Sequence, residues 1–218
     1  LAASMSLDLD KTEKLAGHMQ ECARLGIAVL PPDVNRSGAE FTLETLPDGK
    51  PAIRFALGAV KRVGVAAMKD LVAARDQGAP FATLSDFAGR VEAKLLNKMQ
   101  LENLAKAGAF DALEKNRARV VQGAETILRA AQEAAERRAN PTRDMFGAES
   151  APPPLRLPEA NDWPGLERLA FEAEAVGFHL SAHPLDAYKR ALQKLGVTPS
   201  AQIADRARLS LIHISEPT

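Results

Sequence analysis

The hydrophobic period of the chain changes at Gly58. Before it, Phe41, Leu43 and Thr45 alternate with polar neighbours, as do Ile53, Phe55 and Leu57, with "PDGKP" between the two runs. A period of two puts alternate side chains on one face of a strand, so residues 40–57 are expected to form a β-hairpin. After Gly58 the period lengthens to 3.6: Val65, Met68, Leu71 and Val72 share a helix face that Gly78 and Pro80 close. The two regimes meet at Val60-Lys61-Arg62-Val63-Gly64. A tight turn calls for glycine but not for two cations, so Lys61 and Arg62 raise the expectation of an anion beside them.

Elsewhere the pattern is mostly helical. Asp10 and Glu13 have capping-box spacing ahead of Leu15, Met19, Cys22 and Leu25, with Gly26 as the stop. "IAVL" reads as a short buried strand ended by Pro31 and Pro32. A second helix is expected from Asn97, with Gln100 three residues on, through Leu101 and Leu104 to Gly108. Asp111 and Glu114 are then expected to cap the next turn. After Asn116 one longer helix would carry Val120, Val121, Ala124, Ile127, Leu128, Ala131 and Ala135 on a stripe. Residues 139–162 are rich in proline and small residues and read as a linker, in which Met145 and Phe146 stand side by side. Helices resume over 163–176 and again after Pro184. The fold class expected is mainly α with a small β-hairpin near the N-terminus: a tandem helix–hairpin–helix, then a linker and further helices.

Bulk properties exclude several function classes. The 218 residues carry 28 basic and 28 acidic side chains, so a nucleic-acid partner must be argued from a local site rather than from net charge. The single cysteine, Cys22, excludes an internal disulfide framework, fits a reducing compartment and sits on an apolar helix face as a core residue. No apolar run approaches the ~20 residues of a membrane span. "LAASMSLDLD" lacks the features of a signal peptide and an initiator Met, and reads as the interior of a longer protein. His179 and His183 are four apart, but Gly177 and Pro184 bracket them and no third ligand stands nearby, so they read as turn or packing residues rather than a metal site. Asp8 and Asp10 resemble a carboxylate pair, yet capping explains Asp10 better. No catalytic residue and no metal ligand is assigned.

Two glycine turns remain. A tight turn leading into a helix can aim several backbone amides outward, and with the helix N-terminus this makes a site for a phosphate. The candidates are Lys61, Arg62, Val63 and Gly64 in the first turn, and Lys106, Ala107, Gly108 and Ala109 in the second. Such contacts would hold a duplex without reading its sequence. Gly64 and Gly108 as ordinary helix punctuation is the competing explanation.

Four stretches taken in order, "ECARLGIAVLPPDVNRSGAEFT", "FALGAVKRVG", "LNKMQLENLAKAGAFDAL" and "EAVGFHLSAHPLD", resemble the alpha subunits of bacterial DNA polymerase III, the C-family replicative polymerases. The likeness covers residues 1 to about 208. It implies that residues 1–57 correspond to the end of the fingers domain and 58–138 to a tandem helix–hairpin–helix region gripping duplex DNA. Residues 163–208 would lead toward an OB domain. The linker would carry a sliding-clamp motif at Asp144, Met145 and Phe146, although Thr142 stands where the family has Gln. A further departure is Arg62, where the family commonly has glycine. The resemblance also implies a cytoplasmic enzyme working with other subunits of the replicative holoenzyme. Its catalytic aspartates and two Mg²⁺ ions would lie in an upstream palm domain, so this chain alone is expected to be inactive and to need no cofactor. Residues 209–218, "LSLIHISEPT", look instead like a translated sequencing adaptor. The rival functions are a stand-alone helix–hairpin–helix DNA-binding adaptor without chemistry and a helical interaction protein.

Overall fold

The computed structural model describes residues 1–139 and 155–197. Two short helices, α1 (Ala2–Leu7) and α2 (Thr12–Arg24), lead into strand β1 (Ala28–Leu30). Strands β2 (Thr42–Thr45) and β3 (Pro51–Arg54) follow, and a single 3-10 turn over Leu57–Ala59 precedes α3 (Val65–Asp76) and α4 (Leu84–Arg90). Then come α5 (Lys98–Lys106), α6 (Arg117–Gln122), α7 (Ala124–Ala139) and α8 (Gly165–Val176). Residues Leu1–Ser181 form one compact unit, and a second begins at Ala182. The described part of the second holds a 3-10 turn, Pro184–Tyr188, and α9 (Lys189–Lys194). No helix among the described residues is long and apolar enough to cross a membrane.

The mainly helical fold with a small N-terminal sheet is as the sequence indicates. The hairpin forms, with Leu43 opposite Ile53 and Glu44 opposite Ala52 in antiparallel register. β1 joins it in parallel to β3, Val29 opposite Ile53, which makes a three-stranded sheet in the order β1-β3-β2. β3 is central, and Ala52, Ile53 and Arg54 along it are all buried.

Several sequence expectations are corrected. Lys11, not Asp10, occupies the N-cap of α2, and no side chain caps it. Asp8 instead accepts from Lys11 Nζ at 3.0 Å and Lys14 Nζ at 3.3 Å, and these hydrogen bonds lower its pKa. The single helix expected after Asn116 is two, α6 and α7, broken at Gly123. A Cβ at Gly123 would meet the side chain of Leu157, which packs directly over the break. Asp111 caps nothing and forms ion pairs. Helices α1 and α4 had no strong periodic signal; α4 is started locally by Thr83 Oγ1, which accepts from the Asp86 amide. Within the expected linker, residues 155–162 are anchored: the Leu155 amide donates to Ser85 Oγ and Asn116 Nδ2 donates to the Ala160 carbonyl. Asp144, Met145, Phe146 and residues 209–218 lie outside the described residues.

One apolar core runs from Met5 and Leu15 through Phe55, Leu57 and Val60 to Leu101, Leu104 and Ile127. Edge-to-face aromatic pairs stitch its two ends: Phe41 on Phe55 at 5.0 Å, and Phe81 on Phe87 and Phe87 on Phe110 at 5.2 and 5.1 Å. Pairs of this geometry add ~1 kcal/mol each beyond the area they bury. The loop after β1 is docked by polar side chains. Asn35 Nδ2 donates to the Phe81 carbonyl while Asn35 Oδ1 accepts from the Phe81 amide, and the Val34 amide donates to the Ala109 carbonyl.

Two charge clusters lie at the edges of this core. Arg54, 6% exposed, donates from Nε and Nη2 to the two oxygens of Glu44 and from Nη1 to the Pro31 carbonyl. Arg117, 5% exposed, grips Asp111 through Nε and Nη2, donates from Nη1 to the Lys106 carbonyl and faces Glu172 Oε2 at 3.5 Å. Glu172, 1% exposed, accepts from the amides of Leu180 and Ser181 through Oε1.

Hydrogen bonds from Arg54 hold the Glu44 carboxyl below its ordinary value of 4.5, against the opposing effect of burial. Its stabilising contribution is therefore complete above that value and is lost as pH falls through the lowered folded value. Urea midpoints of the wild type should drop between about pH 5 and pH 3 more than those of Glu44→Gln. Equal slopes would remove this pair as a source of acid sensitivity. Arg117→Ala leaves Glu172 buried without a counter-charge and should cost ~3–5 kcal/mol in denaturant titrations. Arg117→Met combined with Glu172→Gln should recover much of that loss.

Candidate nucleic-acid interface

The first basic turn is built from both sides of the period change. The 3-10 turn ends at Ala59, and Val60 to Val63 then close a tight turn, with the Val63 amide donating to the Val60 carbonyl at 3.1 Å. Arg62 sits at φ 63°, and among the described residues it is the one non-glycine with positive φ. Positive φ at this turn position belongs to a type II turn, where glycine is favoured. A side chain there costs ~1 kcal/mol, so Arg62 is strained at the position where the family commonly has glycine. Gly64 is extended, φ −78° and ψ 132°, and open space surrounds its α-carbon. The glycine requirement thus falls on Arg62, not on Gly64.

Two distant groups hold this turn in place. The Lys61 amide donates to the Ala175 carbonyl at the end of α8, 2.8 Å away. The Lys61 carbonyl accepts from Asn103 Nδ2 on α5, also at 2.8 Å. α3 then starts at Val65, and its first helix-directed bond runs from the Met68 amide to the Gly64 carbonyl. The amides of Arg62, Gly64, Val65 and Ala66 take no acceptor among the described residues. Lys61, Arg62, Gly64 and Ala66 are exposed while Val63 is buried. Free amides at a helix N-terminus, with two cations beside them, form a concave site of positive potential. A cleft of about 280 Å³ runs along it, lined by Thr12, Gly58, Lys61, Arg62 and Val65 and also by the acidic Asp10. Arg62 Nη1 also approaches Met99 Sδ at 3.3 Å.

The second turn is different, and the phosphate cradle expected at Lys106, Ala107, Gly108 and Ala109 does not form there. Gly108, at φ 88°, follows the C-cap residue Ala107 of α5. Its amide donates to the Ala105 carbonyl and the Ala109 amide to the Leu104 carbonyl, the pair of bonds that closes a helix in a Schellman motif. The Ala107 amide is likewise taken by Asn103, and Ala107 and Ala109 are fully buried. Lys106 Nζ faces Glu174 at 2.9 Å and lies over the Phe171 ring at 5.2 Å. A Cβ at Gly108 would run into the Arg117 guanidinium. The amides of this turn are therefore spent on the fold.

Other candidates resolve simply. No group of three or more His, Cys, Asp or Glu side chains that could hold a metal occurs among the described residues. His183 is the N-cap of the 3-10 turn Pro184–Tyr188, its Nδ1 accepting from the Leu185 amide while Asp186 Oδ2 accepts from its own amide. Cys22 is buried in the core, and burial raises its thiol pKa. The residue that sequence reading missed is Asn103. Its spacing in α5 marks only a polar position on an apolar face, and its partner lies 42 residues away.

A family model described as a helix-hairpin-helix motif matches residues 26–120. The chain is 44% identical over 185 residues to DNA polymerase III subunit alpha of Caulobacter vibrioides, covering 85% of this chain and 16% of that protein. It is 40% identical over 199 residues to the same-named protein of Neisseria meningitidis, covering 91% of this chain and 17% of that one. The chain thus spans about one sixth of the length of these relatives, 16% and 17%. Both alignments reach well beyond residues 26–120, so the likeness is not that of a hairpin motif alone. By this likeness the chain belongs to the DNA polymerase III alpha-subunit family and carries its helix-hairpin-helix segment.

Proposed function

We propose that this segment holds duplex DNA by its phosphate backbone within a replicative DNA polymerase, with Lys61, Arg62, Val63 and Gly64 as the contact turn. The observation that supports it is the exposed turn that carries four free amides and two cationic residues at the start of α3. Backbone amides and Lys61 would take one or two phosphates without regard to base sequence. Lys106 would add only long-range attraction, since its ammonium is engaged by Glu174. In this reading the chemistry of DNA synthesis belongs to the rest of the polymerase. No donor cluster fitting the Mg²⁺ ions that the family implies occurs among the described residues.

The linker residues Asp144, Met145 and Phe146 are proposed to dock in a pocket of the sliding clamp, with other holoenzyme subunits as further partners in the cytoplasm. Adjacent apolar anchors suit a small hot spot, and the chain on either side is fixed: α7 ends at Ala139, and Leu155 is bonded to Ser85.

A titration of duplex DNA against the 218-residue chain tests the first proposal. One or two phosphates neutralised predict a slope of log affinity against log salt of about −1 to −2, much the same for unrelated sequences. Lys61→Ala should flatten that slope by about 1. Salt-independent binding would overturn it. For the clamp, Met145→Ala with Phe146→Ala should abolish binding to immobilised clamp and leave DNA affinity unchanged; unaltered clamp binding would remove the motif.

A further inference from the structure

A trans peptide plane points its carbonyl and its following amide in opposite directions. The peptide joining Lys61 to Arg62 is the middle plane of the basic turn, and its orientation distinguishes the type II form, with positive φ at Arg62, from the type I form. In this structure Asn103 Nδ2 reaches in from α5 and takes the Lys61 carbonyl at 2.8 Å. The Arg62 amide must then face away from Asn103, and it takes no acceptor among the described residues. Arg62 at φ 63° is the strained consequence.

The type I form would relieve that strain, since it needs no positive φ. It would also turn the Lys61 carbonyl, an electronegative group, outward to where an anion is to be held. Local preference and anion binding therefore favour opposite orientations of one peptide plane. With a glycine at position 62 the type II form would hold itself; with arginine something else must hold it. Asn103 is 8% exposed, held on the well-packed helix that also carries Leu101 and Leu104, and its amide nitrogen donates to Lys61 alone among the described residues. The Lys61 amide, bonded to Ala175, fixes the preceding plane but leaves the middle one free to turn.

We infer that Asn103 is a positioning residue for the DNA-contacting turn: its side-chain amide pins the Lys61–Arg62 peptide in the orientation that presents the Arg62 amide to phosphate. This rests on the phosphate-contact reading above, and it makes Asn103 and Arg62 a coupled pair.

The experiment is a double-mutant cycle in the full 218-residue chain, with a duplex oligonucleotide titrated at fixed low salt. Asn103→Ala should weaken binding roughly five- to tenfold, the loss expected when one hydrogen bond no longer holds a conformation. In an Arg62→Gly background, where glycine holds the type II turn unaided, the same substitution should change affinity less than about twofold. Asn103→Leu, which keeps the volume but has no donor, should behave as Asn103→Ala; equal effects in both backgrounds would overturn the coupling. A strong intraresidue amide–Hα NOE, the NMR signature of positive φ, reads the turn without DNA. It should be present for Arg62 in the wild type and lost in Asn103→Leu; its persistence would overturn the pinning. If the wild type binds no duplex while the NOE behaves as expected, the phosphate reading falls and the pinning of the turn stands.

Discussion

The buried guanidinium of Arg117 ties together the helices that carry the basic turn. It fixes Asp111, takes the last carbonyl of α5 at Lys106 and faces Glu172, whose other oxygen holds the amides of Leu180 and Ser181. Arg168 of α8 reaches the same Asp111 at 2.9 Å. The end of α5, the start of α6 and, far along the chain, α8 with the segment leaving it thereby meet at one charged centre. Charges this deep are tolerated only when paired, and the planar, five-donor guanidinium suits a site with two hydrogen-bond acceptors, Asp111 and the Lys106 carbonyl, and a facing carboxylate. Gly108 belongs to the same arrangement, because any side chain there would displace Arg117.

That centre gives the basic turn its rigidity. α8 is held by Arg117 through Glu172, and α8 in turn presents the Ala175 carbonyl to the Lys61 amide. α5 is held through its Lys106 carbonyl and presents Asn103 to the other side of the same residue. Lys61 is thus fixed by one bond on each face, while its side chain stays in solvent. The two glycine turns have different parts: the second closes α5 and supports the buried charge, and the first remains open. A stretch that sequence alone would pair with the first as an equal partner is its scaffold.

Much of the fold is legible from residue pattern because local physics decides it. The alternation over Phe41–Thr45 and Ile53–Leu57 gives the hairpin, and Asn97 with Gln100 gives a complete capping box at the start of α5. Gly26 and Gly177, both at positive φ, end α2 and α8 as their positions indicate. Patterns failed where a contact that spacing does not record was made. Lys11 rather than Asp10 starts α2, beside a local Asp8–lysine cluster, and Gly123 divides one apolar stripe into two helices where Leu157, far along the chain, packs against it. The parallel pairing of β1 with β3 was likewise invisible, since a short apolar run carries no record of its partner.

By itself the sequence determined the helical class, the location of the basic turn and the family likeness, all carried by short-range pattern and ordered motifs. It also placed a non-glycine residue where a turn favours glycine. Only the tertiary structure decided which turn keeps its amides free. That depends on hydrogen bonds across 42 and more residues, from Asn103 to Lys61 and from Lys61 to Ala175, and on which amides the helix end of α5 consumes. Spacing along a chain records where a donor lies, whereas whether that donor is still available depends on every acceptor that folding brings to it.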